Sequence, residues 1–349
     1  IFDRIGMKNS YYGSHSELIK NRASGYSKNE KNFTNAQYIS LTLPYAAGSI
    51  MSNVDDMLKW QTAIINDVFV SEKTIDKAFT NYTLNNGDKI NYGYGWSLNE
   101  LNDVETIEHG GAIPGYLSMG VFVPSKNVYV IVFSNCGCQS PTNSALEIAA
   151  LVIDKPKFNV DNTIKLSEIQ LKKWVGTYQF NNEVLRYVTF KDGQLYSKRE
   201  GSPKSFKIHP TSENSFSFED GFISYHFSIK DGKKEVLFKN RIDKLKGFLV
   251  NKKAPKEKKA IKVAAADLKA FDGAYELQPG FVITVTSKEN QLFAQATGQP
   301  QFELFPKTEK EFYLKVVPAS VTFITDERGN AESLTLLQGG REMPGKKVE

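Results

Sequence analysis

The chain has 349 residues, 40% hydrophobic and 24% charged, an ordinary globular composition whose length suggests two or three domains. The net charge is +5, and residues 251–263, with six lysines against Glu257, account for all of it, so a solvated linker is expected there and a nucleic-acid partner is not. No run approaches the roughly 18 apolar residues of a membrane span, and the 23 Phe and 16 Tyr lean towards sheet.

The opening stretch, Ile1-Phe2-Asp3-Arg4-Ile5-Gly6-Met7, reads as a helix end running into a turn, and a longer protein is expected to continue upstream of Ile1. Any signal peptide would lie there, so its absence says nothing about compartment. Residues 53–66 should form an amphipathic helix. Ser52 is placed to cap it, Asp55 stands at the third helical position, and Val54, Met57, Leu58, Ile64 and Ile65 follow at helical spacing. Asn91-Tyr92-Gly93-Tyr94-Gly95-Trp96-Ser97-Leu98 suggests a strand entered through a tight bend.

Residues 104–109, 117–123 and 128–134 read as three strands, with Pro124-Ser125-Lys126-Asn127 as the turn between the last two. The third strand lacks polar alternation and should be buried on both faces. A closing helix follows, with Ala145, Ile148, Ala149 and Val152 on one stripe. The simplest architecture is an antiparallel meander covered by helices on both faces. Cys136-Gly137-Cys138 is expected to hold two structural thiols at a strand end. A bridge across one residue is strained, and no further ligands with zinc spacing are nearby.

From about residue 166 the chain repeats itself. Leu171-Lys172-Lys173-Trp174-Val175-Gly176-Thr177-Tyr178 matches Leu268-Lys269-Ala270-Phe271-Asp272-Gly273-Ala274-Tyr275 at an offset of 97. Val188 to Tyr196 matches Val285 to Phe293 at the same offset, and Phe206, Pro210 and Phe216 match Phe302, Pro306 and Phe312 after a one-residue gap. Each copy has short strands and close turns such as Asp192-Gly193, Asp220-Gly221 and Asp231-Gly232, which indicate a small antiparallel barrel or sandwich. The expected organisation is one unit at 1–155, a β-repeat at 166–250, the Lys-rich linker at 251–263 and a second β-repeat at 264–349.

Chemistry concentrates at His109-Gly110-Gly111-Ala112-Ile113-Pro114-Gly115, which sets one ionisable side chain beside two residues without a Cβ. Read alone, His109 could cap a strand and the glycines form a turn. In context, residues 1 to about 155 resemble the C-terminal half of serine β-lactamase-like hydrolases, the group of class C β-lactamases, penicillin-binding proteins, D-alanyl carboxypeptidases and esterases. The resemblance rests on Ile1 to Ser10, Ala46 to Trp60, Tyr92-Gly93-Tyr94-Gly95-Trp96 and His109-Gly110-Gly111 in order, followed by Gly115-Tyr116 and a strand pair. The tandem repeats resemble C-terminal accessory domains attached to such hydrolases.

The resemblance implies an α+β fold: a partial β-lactamase-like antiparallel sheet with flanking helices, followed by two small all-β repeat domains, lipocalin-like barrels or sandwiches. His109 matches the first position of a His-x-Gly strand, where an imidazole can donate to a substrate carboxylate or a tyrosine oxygen. Gly110 and Gly111 would let substrate lie alongside, and the Ala112 amide matches half of an oxyanion hole. Tyr116 would border the cleft as a substrate contact, whereas Trp96 is expected to pack. The family's Ser-x-x-Lys and Tyr-x-Asn motifs do not occur in these residues, so the chain would carry one side of the site and be inactive alone.

Implied substrates are small peptides, β-lactams or esters, with cell-wall peptide among the partners, no cofactor and no metal, in an extracytoplasmic setting. A missing N-terminal half or a partner chain is expected to cover apolar surface on the hydrolase-like unit. The reading from another class is a non-catalytic binding or scaffolding module that uses the tandem repeats. Ser118 lies on a strand without a base and is not expected to act as a nucleophile. His15 should be exposed in a polar loop. His209 and His226 align with Phe305 and Thr322 of the second copy, which favours local surface roles.

Overall fold

A computed structural model of the protein describes residues 1–14, 16–29, 32–219, 221–255 and 263–348. His15, Asp220 and most of the Lys-rich linker lie outside the described residues. The chain forms two units. One takes Ile1–Thr163 with two stretches of the first repeat, Ser215–Tyr225 and Leu237–Lys244; the other takes Ile164–Asn214, His226–Val236 and Leu245–Glu349.

In the first unit, helix α1 spans Val54–Ile65. Its cap is Asn53 rather than Ser52: the Asn53 side chain accepts from the Asp56 amide at 2.9 Å. Both residue types cap well, and the one whose backbone is extended at the helix mouth takes the role. The carboxylate at the third helical position is therefore Asp56, not Asp55. The Ser52 hydroxyl instead lies 2.8 Å from the Ser10 hydroxyl. Ala63 and Ile64 are buried, but Val54, Leu58 and Ile65 are exposed, so much of the expected apolar stripe faces outward.

The sheet is a four-stranded antiparallel meander, β1 (Ser97–Leu101), β2 (Val104–Ile113), β3 (Tyr116–Val123) and β4 (Val128–Ser134). Strand β2 does not stop at His109. It runs on through Gly110-Gly111-Ala112 to Ile113 and turns at Pro114-Gly115, with Gly115 at φ 82. Helix α2 (Thr142–Val152) covers one face with a small-residue stripe, Ala145, Leu146, Ala149 and Ala150, followed by Ile153. Met119, Val121, Val123 and Leu101 meet it in one core. Alanines let the helix backbone approach the sheet, and burying Leu146 contributes about 2 kcal/mol. Ile148 and Val152, expected on this stripe, point outward instead.

Strand β4 also departs from expectation. It is the edge of the sheet and only half-buried: Val128, Val130 and Val132 pack on the α2 core, while Phe133 is exposed on the other face. A run of apolar residues without alternation does not by itself distinguish a central strand from a half-covered edge.

The repeats are two closed barrels of eight antiparallel strands, Gly176–Phe180 through Asp243–Val250 and Gly273–Gln278 through Arg341–Lys347. The duplication extends to side chains. Tyr178 donates to the Trp174 carbonyl at 2.9 Å, and Tyr275 donates to the Phe271 carbonyl at 2.8 Å. Trp174 stacks on Phe227 and Phe271 stacks on Phe323, with centroids 5.2 and 4.4 Å apart. His209 is buried rather than on the surface, although the inward position of Ser205–Pro210 belongs to its neighbour Ile208, which pairs with buried Leu195; His226 is exposed.

Candidate active site

Because strand side chains alternate, the register sorts the sheet into two faces. His109 pairs with Gly120, Gly111 with Ser118 and Ile113 with Tyr116, so these six share the face opposite α2. Gly110 and Glu108 share the α2 face with Met119 and Val121. Residues 109–112 are all exposed. Strand β1 pairs with β2 only as far as Ser97↔Glu108, which leaves the edge of β2 beyond it unpaired by β1. The pair flanking a two-residue turn exchanges hydrogen bonds, and bonded and non-bonded pairs alternate from there. Ala112↔Leu117 is then a non-bonded pair, and the Ala112 amide points away from β3 towards that edge.

Tyr92, in the bend before β1, meets His109 of β2. Its hydroxyl lies 3.0 Å from His109 Nε2, with the rings at 61°. The bend that delivers Tyr92 leaves no room for another residue after it: a Cβ on Gly93 would fall 1.9 Å from the Ala78 carbonyl oxygen. Gly93 donates to the Trp96 carbonyl, Tyr94 donates to Ala78, and Trp96 packs edge-on against Phe79 at 5.6 Å. Tyr92 was not among the sequence candidates. Its signal was the Tyr-Gly-Tyr-Gly-Trp run, in which nothing local separates Tyr92 from the exposed Tyr94.

The two glycines differ. A Cβ on Gly111 would lie 2.6 Å from the Ser118 hydroxyl oxygen, whereas one on Gly110 would make ordinary contacts at 3.5 Å with Met119 Sδ and the Ser118 carbonyl. Tyr116 shares the His109 face, but its hydroxyl donates to the Ala23 carbonyl at 2.7 Å and its ring lies against Gly25. It therefore holds the 23–25 loop. That loop is also tied to the end of β4: Tyr26 donates to Asn135 O at 2.8 Å and Gly137 donates to Tyr26 O at 2.9 Å.

Cys136 and Cys138 are joined in a disulfide, not left as two thiols. The chain leaves β4 and turns at Gly137, which brings their Cα atoms to 5.2 Å, within bridging reach.

Two carboxylates of this unit, Asp56 and Glu108, are buried and paired. Asp56 accepts from the Asn9 amide at 2.7 Å, the Ser10 hydroxyl at 2.9 Å and Lys59 Nζ at 2.7 Å. Burial pushes its carboxyl up, but the Lys59 hydrogen bond, followed by those of Asn9 and Ser10, outweighs this and holds it below its usual range. Glu108, one residue before His109, is buried and paired with Arg241. Among the described residues, no group of three or more His, Cys, Asp or Glu is arranged to hold a metal, and no helix is long and apolar enough to cross a membrane.

Residues 1–152 match the β-lactamase family model, and residues 257–347 match a domain of unknown function, DUF3471. Penicillin-binding protein 4* of Bacillus subtilis (strain 168) is 24% identical over 297 residues, covering 84% of this chain and 46% of the relative. The chain thus spans about half the length of that relative. Among solved structures, the octameric penicillin-binding protein homologue from Pyrococcus abyssi aligns with TM-score 0.40 and 22% identity, covering 70% of this chain and 58% of that one. D-amino acid amidase from Ochrobactrum anthropi SV3 aligns with TM-score 0.38 and 22% identity, covering 44% and 48%. Residues 1–152, with their His-Gly-Gly strand and flanking helices, are a β-lactamase and penicillin-binding-protein family domain, and the chain continues from it into two eight-stranded barrels.

Proposed function

We propose that this chain supplies the substrate-anchoring wall of a serine acyl-transfer site that hydrolyses a peptide, a β-lactam or an ester. The observation that carries the reading is the Tyr92–His109 pair beside the exposed edge of β2, with the Ala112 amide aimed past that same edge. A developing oxyanion needs fixed N–H donors, and a strand amide unclaimed by its neighbour is one. The imidazole, held by Tyr92, would anchor a substrate carboxylate or relay a hydrogen bond to the reacting centre. Gly110 and Gly111 keep side chains out of the path of an extended substrate.

The attacking group comes from outside these residues. The Ser118 hydroxyl is on the His109 face, but His109 Nε2 meets the Tyr92 hydroxyl instead, and an unactivated serine is a weak nucleophile. The exposed Val54, Leu58 and Ile65 of α1 suit an apolar layer contributed by further chain. The polypeptide 1–349 alone is expected to be inactive. The Cys136–Cys138 disulfide suits an oxidising, extracytoplasmic compartment.

The test is acylation of the native protein, isolated from its own cells, by a fluorescent penicillin and a fluorophosphonate. Covalent labelling that falls roughly tenfold or more in His109→Ala supports the reading. No labelling by either probe contradicts it and favours a non-catalytic binding module.

A further inference from the structure

The stretch Leu237–Lys244 belongs by sequence to the first β-repeat, yet its side chains grip the hydrolase sheet. Arg241 donates through Nη1 to Glu108 Oε2 at 2.9 Å and through Nη2 to Glu108 Oε1, a two-pronged pair. Its Nη2 also reaches the Thr106 hydroxyl at 3.2 Å, and its Nε donates to the Glu100 carbonyl at 2.9 Å. The two side chains are only 12% and 3% exposed. Around them, the Ile242 amide donates to Asn99 Oδ1 at 3.2 Å, Lys239 pairs with Asp103, and Lys244 Nζ lies 3.3 Å from Glu100 Oε2. Asn91 Nδ2 reaches Asp243 Oδ1 at 3.5 Å.

Glu108 precedes His109, and Asn91 precedes Tyr92. One turn therefore holds the chain neighbours of both members of the Tyr92–His109 pair. The backbone shows that the arginine is not there for its own turn. Arg241 sits at φ 57, in the left-handed region that favours glycine. The turn between the last two strands of the second barrel is Gly339-Gly340, at φ 58 and 78. The two copies share their fold, and the first alone carries a strained arginine where the second has the residue the turn prefers. Strain of this kind persists where a contact elsewhere requires it.

We infer that Arg241 is a positioning residue for His109 and Tyr92, and that the first β-repeat lends this turn to the β-lactamase-family sheet as a clamp on β1 and β2. Its consequence for catalysis rests on the serine acyl-transfer reading; the clamp itself rests on the contacts above. The planar guanidinium fixes Glu108 in one geometry from beneath the sheet, and His109 on the opposite face inherits that register.

Arg241→Gly separates the clamp from a turn role. A turn role predicts equal or higher stability, since glycine adopts this φ freely. The clamp predicts the opposite. Amide hydrogen exchange at residues 91–93 and 106–113 should accelerate roughly tenfold or more, because an unpaired buried carboxylate remains. The second barrel should be unaffected, and the His109 ring signals in NMR, assigned through His109→Gln, should move. Arg241→Lys should restore only part of the protection, because an ammonium lacks the fork. Should Arg241→Gly fail to fold, Arg241→Lys carries the same two outcomes. Unchanged exchange in β2 together with unmoved His109 signals would overturn the clamp. None of these readouts uses acylation, so absent penicillin labelling would remove the hydrolase reading and leave the clamp standing.

Discussion

The Tyr92 hydroxyl lies 3.0 Å from Nε2 of His109, joining the aromatic bend before β1 to the middle of β2. Tyr92→Phe keeps the ring and removes the hydrogen bond. Stability should fall by about 1 kcal/mol, while acylation of the native protein should slow by roughly tenfold as the imidazole loses its fixed orientation. Denaturant melts and labelling rates check the two halves separately.

The glycines around this pair should respond unequally to alanine. Gly93→Ala places a methyl against the Ala78 carbonyl, a backbone atom that cannot rotate away. It should cost about 3 kcal/mol and displace Tyr92. Gly111→Ala meets only the Ser118 hydroxyl, which can turn. It should cost about 1 kcal/mol or less, and most of that should vanish in the Gly111→Ala, Ser118→Ala double variant. Thermal melting of the four proteins decides it.

Asp56 predicts an acid limb of stability. Its carboxyl is held below the ordinary 3.8, so the folded state binds that proton more weakly than the unfolded chain. A depressed folded value contributes stability that is present above the unfolded value and is lost as pH falls through the folded one. Asp56→Asn should therefore cost about 2 kcal/mol at neutral pH, and its difference from the native chain should shrink below about pH 4. Urea melts from pH 7 down to 3 measure both.

At high pH the second barrel should be affected through Tyr275. Burial, then the nearby Asp272, pushes its phenol up to about 12 from 10.0. The neutral form is favoured in the fold, so its contribution is complete below about pH 10 and is lost as pH rises through about 12. Ultraviolet titration of Tyr275→Phe should lack that late-ionising phenol. Tyr275→Phe and Tyr178→Phe should each cost about 1 kcal/mol by removing the matching hydrogen bonds to Phe271 and Trp174.

The duplication and its all-β character were legible in the sequence because Trp174–Tyr178 and Phe271–Tyr275 keep one spacing through two copies. The meander was legible because its strands are local and joined by short turns. What failed was facing. The stripe chosen for α2 included Ile148 and Val152, but the helix buries Ala145, Leu146, Ala149 and Ala150, since close approach to a sheet selects small residues. Apolar β4 is an edge, because alternation cannot report which neighbour covers it. Asn53 took the cap from Ser52 by one residue of backbone geometry. Within the candidate site, His109 announced itself through its glycines. Tyr92 and Arg241 did not, because their contacts span 17 and 133 residues and depend on tertiary placement.

The central claim, that His109 and the Ala112 amide form one wall of a serine acyl-transfer site completed from outside these residues, is tested most directly by locating the acyl group. The native protein, incubated with penicillin, digested and analysed by mass spectrometry, should carry a single adduct on a serine outside residues 1–349, and His109→Ala should greatly reduce it. An adduct on Ser118 or another serine of this chain, or no adduct at all, would contradict it.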